Sequence, residues 1–217
     1  MNSLQSAHQA VCGLVDQFEH YESRYLSQNY QEDELRKDFL DKFFIALGWD
    51  VNHDTQTNPF AQEVTIERRV KTGAAKRRAD HAFALAPRFK KTIFFVEAKK
   101  PSGKLDTPDN YFQAIRYSWN TQLPLVVLTD FANFHVIDSR YRPTIASALS
   151  RQHKTYHYKQ YRDPAVFAEI YWLFSRQAVA SNSLQDYAHA LPTAAASDLH
   201  AHQMGLFAGG YQSIDDL

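Results

Sequence analysis

The sequence predicts an α/β domain whose mixed central sheet is flanked by helices on both faces. Two observations carry this expectation. Three strand-like segments follow one another with short links between residues 63 and 99, as in an antiparallel meander. The continuous apolar run Leu125-Val126-Val127-Leu128 has the character of a strand buried on both sides. Helical periodicity before, between and after these segments gives the order α-α-β-β-β-β-α-β-β-α. With 217 residues, 44% of them hydrophobic, the chain is long enough to bury one core without staples.

The elements follow in order. Val11, Leu14, Val15 and Phe18 recur at helical spacing in the first thirty residues. A second helix is expected from Asp33 as N-cap, with Glu34 in the first turn, through Leu35, Phe39, Leu40, Phe43, Phe44 and Leu47 to Gly48 at C′. Trp49 to Asn52 could open the sheet. Glu63 to Val70 alternates in part, with Val64 and Ile66 sharing a side. Ala79, His81, Phe83 and Leu85 share a face of the next strand, which Pro87 closes. Thr92 to Lys99 is built on Ile93, Phe94, Phe95 and Val96 and stops at Pro101. Asp109 to Asn120 is helical, with Phe112, Ile115 and Trp119 on one side. Strands at Leu125–Leu128 and Phe134–Ile137 follow, then a last helix after Pro164. Residues 1–175 are expected to form the domain, and the Ala-, Ser- and His-rich residues 176–217 a weakly packed tail or connector.

Composition narrows the function classes. A single cysteine, Cys12, leaves no internal disulfide framework. No apolar run approaches a membrane span, and the first residues lack the blocks of a signal peptide, so a soluble, cytoplasmic protein is expected. The net charge is zero, yet twelve Lys and Arg against two acids lie between Arg68 and Lys104. That block carries +10 and leaves the rest at −10, a distribution that suits a polyanion on one side of a neutral body.

Glu97 and Lys99 lie two apart on an expected strand, so both project from one face. Asp80 lies on the preceding strand, and neighbouring strands are ~5 Å apart. In a suitable register the two carboxylates meet beside an ammonium. Such a group suits a hard divalent cation, Mg²⁺ by preference with Mn²⁺ as substitute, and the backbone carbonyl of Ala98 could complete its shell. Lys99 would orient or deprotonate a metal-bound water, or stabilise the pentavalent state. Glu-x-Lys alone equally describes a salt-bridged surface strand. The apolar residues before Glu97, the surrounding basic residues and the acid on the previous strand favour a site.

Asp80 followed by Glu97-Ala98-Lys99 resembles the PD-(D/E)xK nuclease signature. Glu34-Leu35-Arg36-Lys37-Asp38-Phe39, running on to Ala46-Leu47-Gly48-Trp49-Asp50-Val51, resembles the opening of the nuclease domain of type IIG/IIL restriction-modification enzymes. The N-terminal domain of type I restriction motor subunits is a more distant likeness. Phe94 to Ser102 is similar to the family's catalytic strand, Gln113-Ala114-Ile115-Arg116-Tyr117 to its Gln-x-x-x-Tyr helix, and Leu123 to Phe131 to the strand after it. The resemblance covers about residues 20 to 180. The family often has Pro before the aspartate, where this chain has Ala79.

The resemblance implies a restriction-endonuclease-like core and Mg²⁺-dependent hydrolysis of DNA phosphodiesters by metal-activated water. It makes Asp80 and Glu97 metal ligands and Lys99 the catalytic lysine. Glu34 becomes the upstream glutamate that assists metal or lysine placement. Gln113 and Tyr117 would hold the lysine or the DNA backbone, with Lys100 in support; Arg77 and Arg78, by their own chemistry, would contact DNA phosphates or sit in a solvated hairpin turn. It also implies that sequence choice comes from methyltransferase and target-recognition domains or subunits absent from these residues, and that double-strand cutting uses a transient dimer on DNA. The rival expectation is a non-catalytic DNA-binding or assembly module that keeps the fold. A hydrolase of nucleotides or RNA is a third.

Overall fold

The computed structural model describes residues 3–72 and 75–192, with the side chains of 67–72 and 75–78 excepted. Helix α1 (Leu4–His20) starts where the Ser3 side chain accepts from the Ser6 amide, and it buries Ala7, Val11, Leu14, Val15 and Phe18. The short α2 (Glu22–Tyr25) follows. The next helical rod has three parts: α3 (Glu32–Leu35), a π turn (Arg36–Leu40) and α4 (Asp41–Ala46). Its N-cap is Gln31, not the expected Asp33, because Gln31 and Glu34 form a reciprocal capping box. Gly48 ends the rod as expected. At φ +92° it allows the Trp49 amide to reach Phe44 O and its own amide to reach Ile45 O, a Schellman closure.

Six strands form one sheet in sequence order: β1 (Val64–Thr72), β2 (Ala75–Ala84), β3 (Thr92–Ala98), β4 (Leu125–Thr129), β5 (Asn133–Asp138) and β6 (Gln152–His157). All neighbouring pairs are antiparallel except β3–β4, which is parallel and joined through helix α5 (Pro108–Asn120). This is the mixed α/β sheet with flanking helices that the sequence predicts, an arrangement consistent with a restriction-endonuclease-like core. One face packs on α1, α4 and helix α6 (Pro164–Phe174) through Phe44, Phe83, Phe94 and Phe174; the other packs on α5 through Phe95, Val126 and Leu128. Because β3 alternates, Val96 and Ala98 belong to the first face and Phe95 to the second, where Glu97 follows it.

Three local expectations are corrected and one is refined. Trp49 to Asn52 is not a strand; Trp49 instead plugs the core, its indole N–H donating to Phe174 O (2.9 Å) and its ring packed on Phe83 and Phe94. β6 was not expected, since Tyr156 is its only buried side chain and an edge strand needs no apolar alternation. Val64 and Ile66 share a side of β1 as expected, but Val64 is buried and Ile66 is exposed, so the cover over that side ends within two residues. The buried face of α5 is Tyr111, Ala114, Ile115, Tyr117 and Ser118, whereas Phe112 and Trp119 are only partly covered. Tyrosine and serine enter that face because their hydroxyls find partners: Tyr111 at His135 and Gln152, Ser118 at Leu125 O.

Beyond Ser175, where the sequence led us to expect a loose tail, two further helices form: α7 (Arg176–Ala180) and α8 (Ser183–Ala190), with Val179, Leu184 and Ala188 buried. Residues 193–217 lie outside the described residues. Among the described residues, no helix is long and apolar enough to cross a membrane.

Candidate active site

The register of the central strands builds the site. His81 of β2 pairs with Val96 of β3, so Asp80 and Glu97, one residue further along each antiparallel strand, come to the same end of the sheet. There β3 runs beside β4, Ala98 opposite Thr129, and the Lys99 amide donates to Thr129 O (2.9 Å). Glu97 and Lys99 thus stand at the C-terminal end of β3, where it runs parallel to β4, the usual position of sites on parallel strands.

Both oxygens of Asp80 are engaged. Oδ2 accepts from the Ala98 amide (2.8 Å) and Oδ1 from Arg36 Nη1 (2.9 Å). Glu97 is 2% exposed. Its Oε1 accepts from Lys99 Nζ (2.7 Å) and from Gln113 Nε2 (2.5 Å), and Gln113 Nε2 also lies 3.3 Å from Tyr117 Oη. Among the described residues, Oε2 of Glu97 is buried and has no hydrogen-bond partner. A buried carboxylate oxygen left without a donor is costly, and such an orphan asks for an explanation.

Charge is crowded here. Burial, with Asp80 and Glu32 nearby, pushes the Glu97 carboxyl up to about 7 although Lys99 opposes the shift. Burial and Asp80 likewise raise Glu32. Burial alone would pull the Lys99 ammonium down, but contact with Glu97 and the fields of Glu32 and Asp80 outweigh it and move it up. Lys99 is therefore a cation at neutral pH, in a cluster where Asp80, Glu97 and Glu32 face Lys99, Arg36 and Lys100.

The structure brings together Asp80, Glu97, Lys99, Gln113 and Tyr117, and it places Ala98 against Asp80. It does not bring Glu34 to them. The Glu34 carboxylate is turned back to the Gln31 amide (2.8 Å). Glu32, not expected from the sequence, is the upstream acid: Asp80 raises its carboxyl, and its own charge is felt by Glu97 and Lys99. Its spacing held a signal: Glu32 and Arg36 are four apart on one helical face, and Arg36 reaches Asp80. Arg77 and Arg78 pair with Val70 and Arg69 in the β1–β2 ladder, but their side chains lie outside the described residues. Lys100 follows Lys99 and is partly buried.

Among the described side chains, the basic block divides between the two ends of β3. Arg88, Lys90 and Lys91 precede β3, whereas Lys99, Lys100 and Lys104 follow it. A seven-residue strand separates the groups by about 20 Å at ~3.3 Å per residue. Among the described residues no three His, Cys, Asp or Glu side chains are grouped to hold an ion by themselves. Any ion at this site would need backbone, water or substrate oxygens besides Asp80 and Glu97.

No protein-family model matches the chain, and no solved structure matches it. A curated protein of Escherichia coli does: "Type II restriction enzyme and methyltransferase RM.Eco57I", 33% identical over 171 residues. The match covers 76% of this chain but only 16% of that protein, so the chain spans a small part of the relative's length. With the mixed sheet and the acid–lysine cluster at the end of its central strands, this similarity relates the chain to part of a restriction enzyme.

Proposed function

We propose that the chain is a Mg²⁺-dependent DNA endonuclease domain of the PD-(D/E)xK type, akin to the cleavage part of a type IIG restriction enzyme. The observation that carries the reading is the convergence of Asp80, Glu97 and Lys99 around a buried Glu97 oxygen without a partner. The residues fit a divalent cation. Mg²⁺ commonly takes one or two carboxylates and completes its octahedron with water and phosphate oxygens. Glu97 Oε2, Asp80 and the Ala98 carbonyl would hold it, with Glu32 adding negative potential. When bound, the ion supplies charge to a phosphoryl oxygen and acidifies a water.

The chain's own side chains do the rest. Lys99, kept as an ammonium, stabilises charge on the phosphoryl group, which suits it better than the role of general base. Gln113 shares Glu97 Oε1 with Lys99 and so fixes the carboxylate's rotation, leaving Oε2 pointed away from both donors. Tyr117 backs Gln113 on the same helical face. Lys100, whose charge reaches Glu32, and Lys104 would meet the DNA backbone beside the cluster. Choice of target sequence, a methyltransferase partner and a dimer on DNA would belong to parts beyond these residues; the relative's far greater length supports that division.

Plasmid nicking with Mg²⁺, with Mn²⁺ and with EDTA tests the proposal. Cleavage by the parent chain, lost with EDTA and in Asp80→Ala and Lys99→Ala, is the expected result. DNA binding without cleavage under either metal would point instead to a binding module that keeps the fold.

A further inference from the structure

We propose that Arg36 is a stand-in cation that occupies Asp80 until a divalent ion displaces it, so that metal binding and release of this arginine are one exchange. The inference rests on the cation site proposed above and adds a competitor to it. Of the two carboxylates, Glu97 already offers an unpartnered oxygen, whereas Asp80 offers none: Oδ2 holds the Ala98 amide and Oδ1 the Arg36 guanidinium. The Ala98 contact is part of the strand edge and would persist. The Arg36 contact occupies Oδ1, the oxygen an incoming ion needs. A +1 and a +2 charge on one carboxylate oxygen repel strongly at a few ångströms where water is partly excluded.

The surroundings suit an arm that lets go. Arg36 and Asp80 side chains keep 15% and 13% of their exposure, so solvent can reach the pair and take over the guanidinium. Arg36 opens the π turn, and such turns mark places where a helix departs from regular bonding, often beside functional sites. The rod does not depend on Arg36 to stay docked. Five residues on, Asp41 Oδ1 lies 2.7 Å from Nε2 of the fully buried His81, the residue after Asp80. One end of the turn is therefore tied to β2 while the other end holds the exchangeable arm.

Calorimetry and thermal melts with Mn²⁺ and then Mg²⁺ test this on the intact chain, comparing the parent with Arg36→Met and Arg36→Lys; Glu97→Gln is the control for the site. If Arg36 competes, Arg36→Met binds Mn²⁺ about tenfold tighter or more, the equivalent of losing one charge-assisted hydrogen bond. Arg36→Met is then less stable than the parent in EDTA and gains more melting temperature from Mn²⁺, and Arg36→Lys falls between. Equal or weaker Mn²⁺ binding by Arg36→Met, with parent binding abolished by Glu97→Gln, overturns the competitor and leaves the site standing. Binding by Arg36→Met but not by the parent supports the exchange in its strongest form. No Mn²⁺ binding by parent or by Arg36→Met overturns both readings. If Arg36→Met unfolds in EDTA, rescue by Mn²⁺ supports the exchange, and failure of Mn²⁺ to rescue it counts against.

Discussion

Arg176→Met should destabilise the protein by about 2–3 kcal/mol at pH 7, although Arg176 lies beyond the last residue expected in the domain. Glu63 is fully buried at the start of β1. Its carboxylate accepts from the Ala86 amide (3.1 Å) and takes both prongs of the Arg176 guanidinium, Nε at 2.6 Å and Nη2 at 2.7 Å. Removing one partner of a buried pair costs about 3–5 kcal/mol, because the other charge stays behind unmatched. The Arg176 side chain is 37% exposed, so water reaches the pair and the lower figure applies. For a domain of this size that is a fall of roughly 4–12 °C in melting temperature. The sign with pH is fixed. Burial alone would raise Glu63, but Arg176, the Ala86 amide and Gln56 outweigh it and hold the carboxyl below its ordinary value. The stabilisation is therefore present above the unfolded-state pKa and is lost as pH falls through the lower native one. Urea melts of the parent, Arg176→Met, Glu63→Gln and the double variant across pH 4–8 measure this. The double variant should recover part of the loss, since a neutral amide still meets Ala86. A penalty under about 0.5 kcal/mol at pH 7, or one that grows toward acid, would refute the reasoning.

Three further outcomes are expected. Glu97→Gln should abolish cleavage, and in EDTA it should gain about 2 kcal/mol on the parent between pH 5 and 8. The native carboxyl, raised to about 7, holds its proton longer than the unfolded chain does, so its contribution is full in acid and lost as pH rises through 7; flat relative stability over that range contradicts this. Glu32→Gln should weaken Mn²⁺ binding and slow cleavage, whereas Glu34→Ala should cost only the capping contact, about 0.5–1 kcal/mol, with activity kept; the reverse pattern in nicking assays restores Glu34 to the site. Affinity for duplex DNA should fall with salt, and Lys100→Ala should lower the log–log slope by about 0.9, the release expected for one phosphate contact. Arg88→Ala, at the far end of β3, should leave the slope unchanged; equal effects from both would mean that the basic block acts as one surface after all.

What could be read from the sequence depended on whether a residue's role is set by its neighbours along the chain or by the fold. The sheet was legible because β2, β3 and β4 announce themselves through runs such as Phe94-Phe95-Val96 and Leu125 to Leu128, buried on both faces. β6 was not, because a polar edge strand is held by its ladder to β5 rather than by its own hydrophobicity. Trp49 misled for the opposite reason: an apolar residue after a helix can serve as a plug with no ladder at all. The continuation past Ser175 rests on long-range contacts, Arg176 to Glu63 and Val179 to the core, that composition does not display.

The candidate site divides along the same line, and one helix boundary decides its least legible member. Asp80, Glu97 and Lys99 could be placed together from strand period and strand spacing alone, and Gln113 and Tyr117 from helical period. The upstream acid needed the phase of a helix start. With Asp33 as N-cap, Glu34 would stand at the first helical position, free to turn toward the sheet. With Gln31 as N-cap, Glu34 stands at the third position, where the capping box claims its carboxylate, and Glu32 takes the first. Glu32 then shares a face with Arg36, and Arg36 is the residue on Asp80. A two-residue shift in one cap thus exchanges which glutamate lends its charge to the cluster. The contrast between Glu32→Gln and Glu34→Ala therefore tests the capping geometry and the site through a single pair of variants.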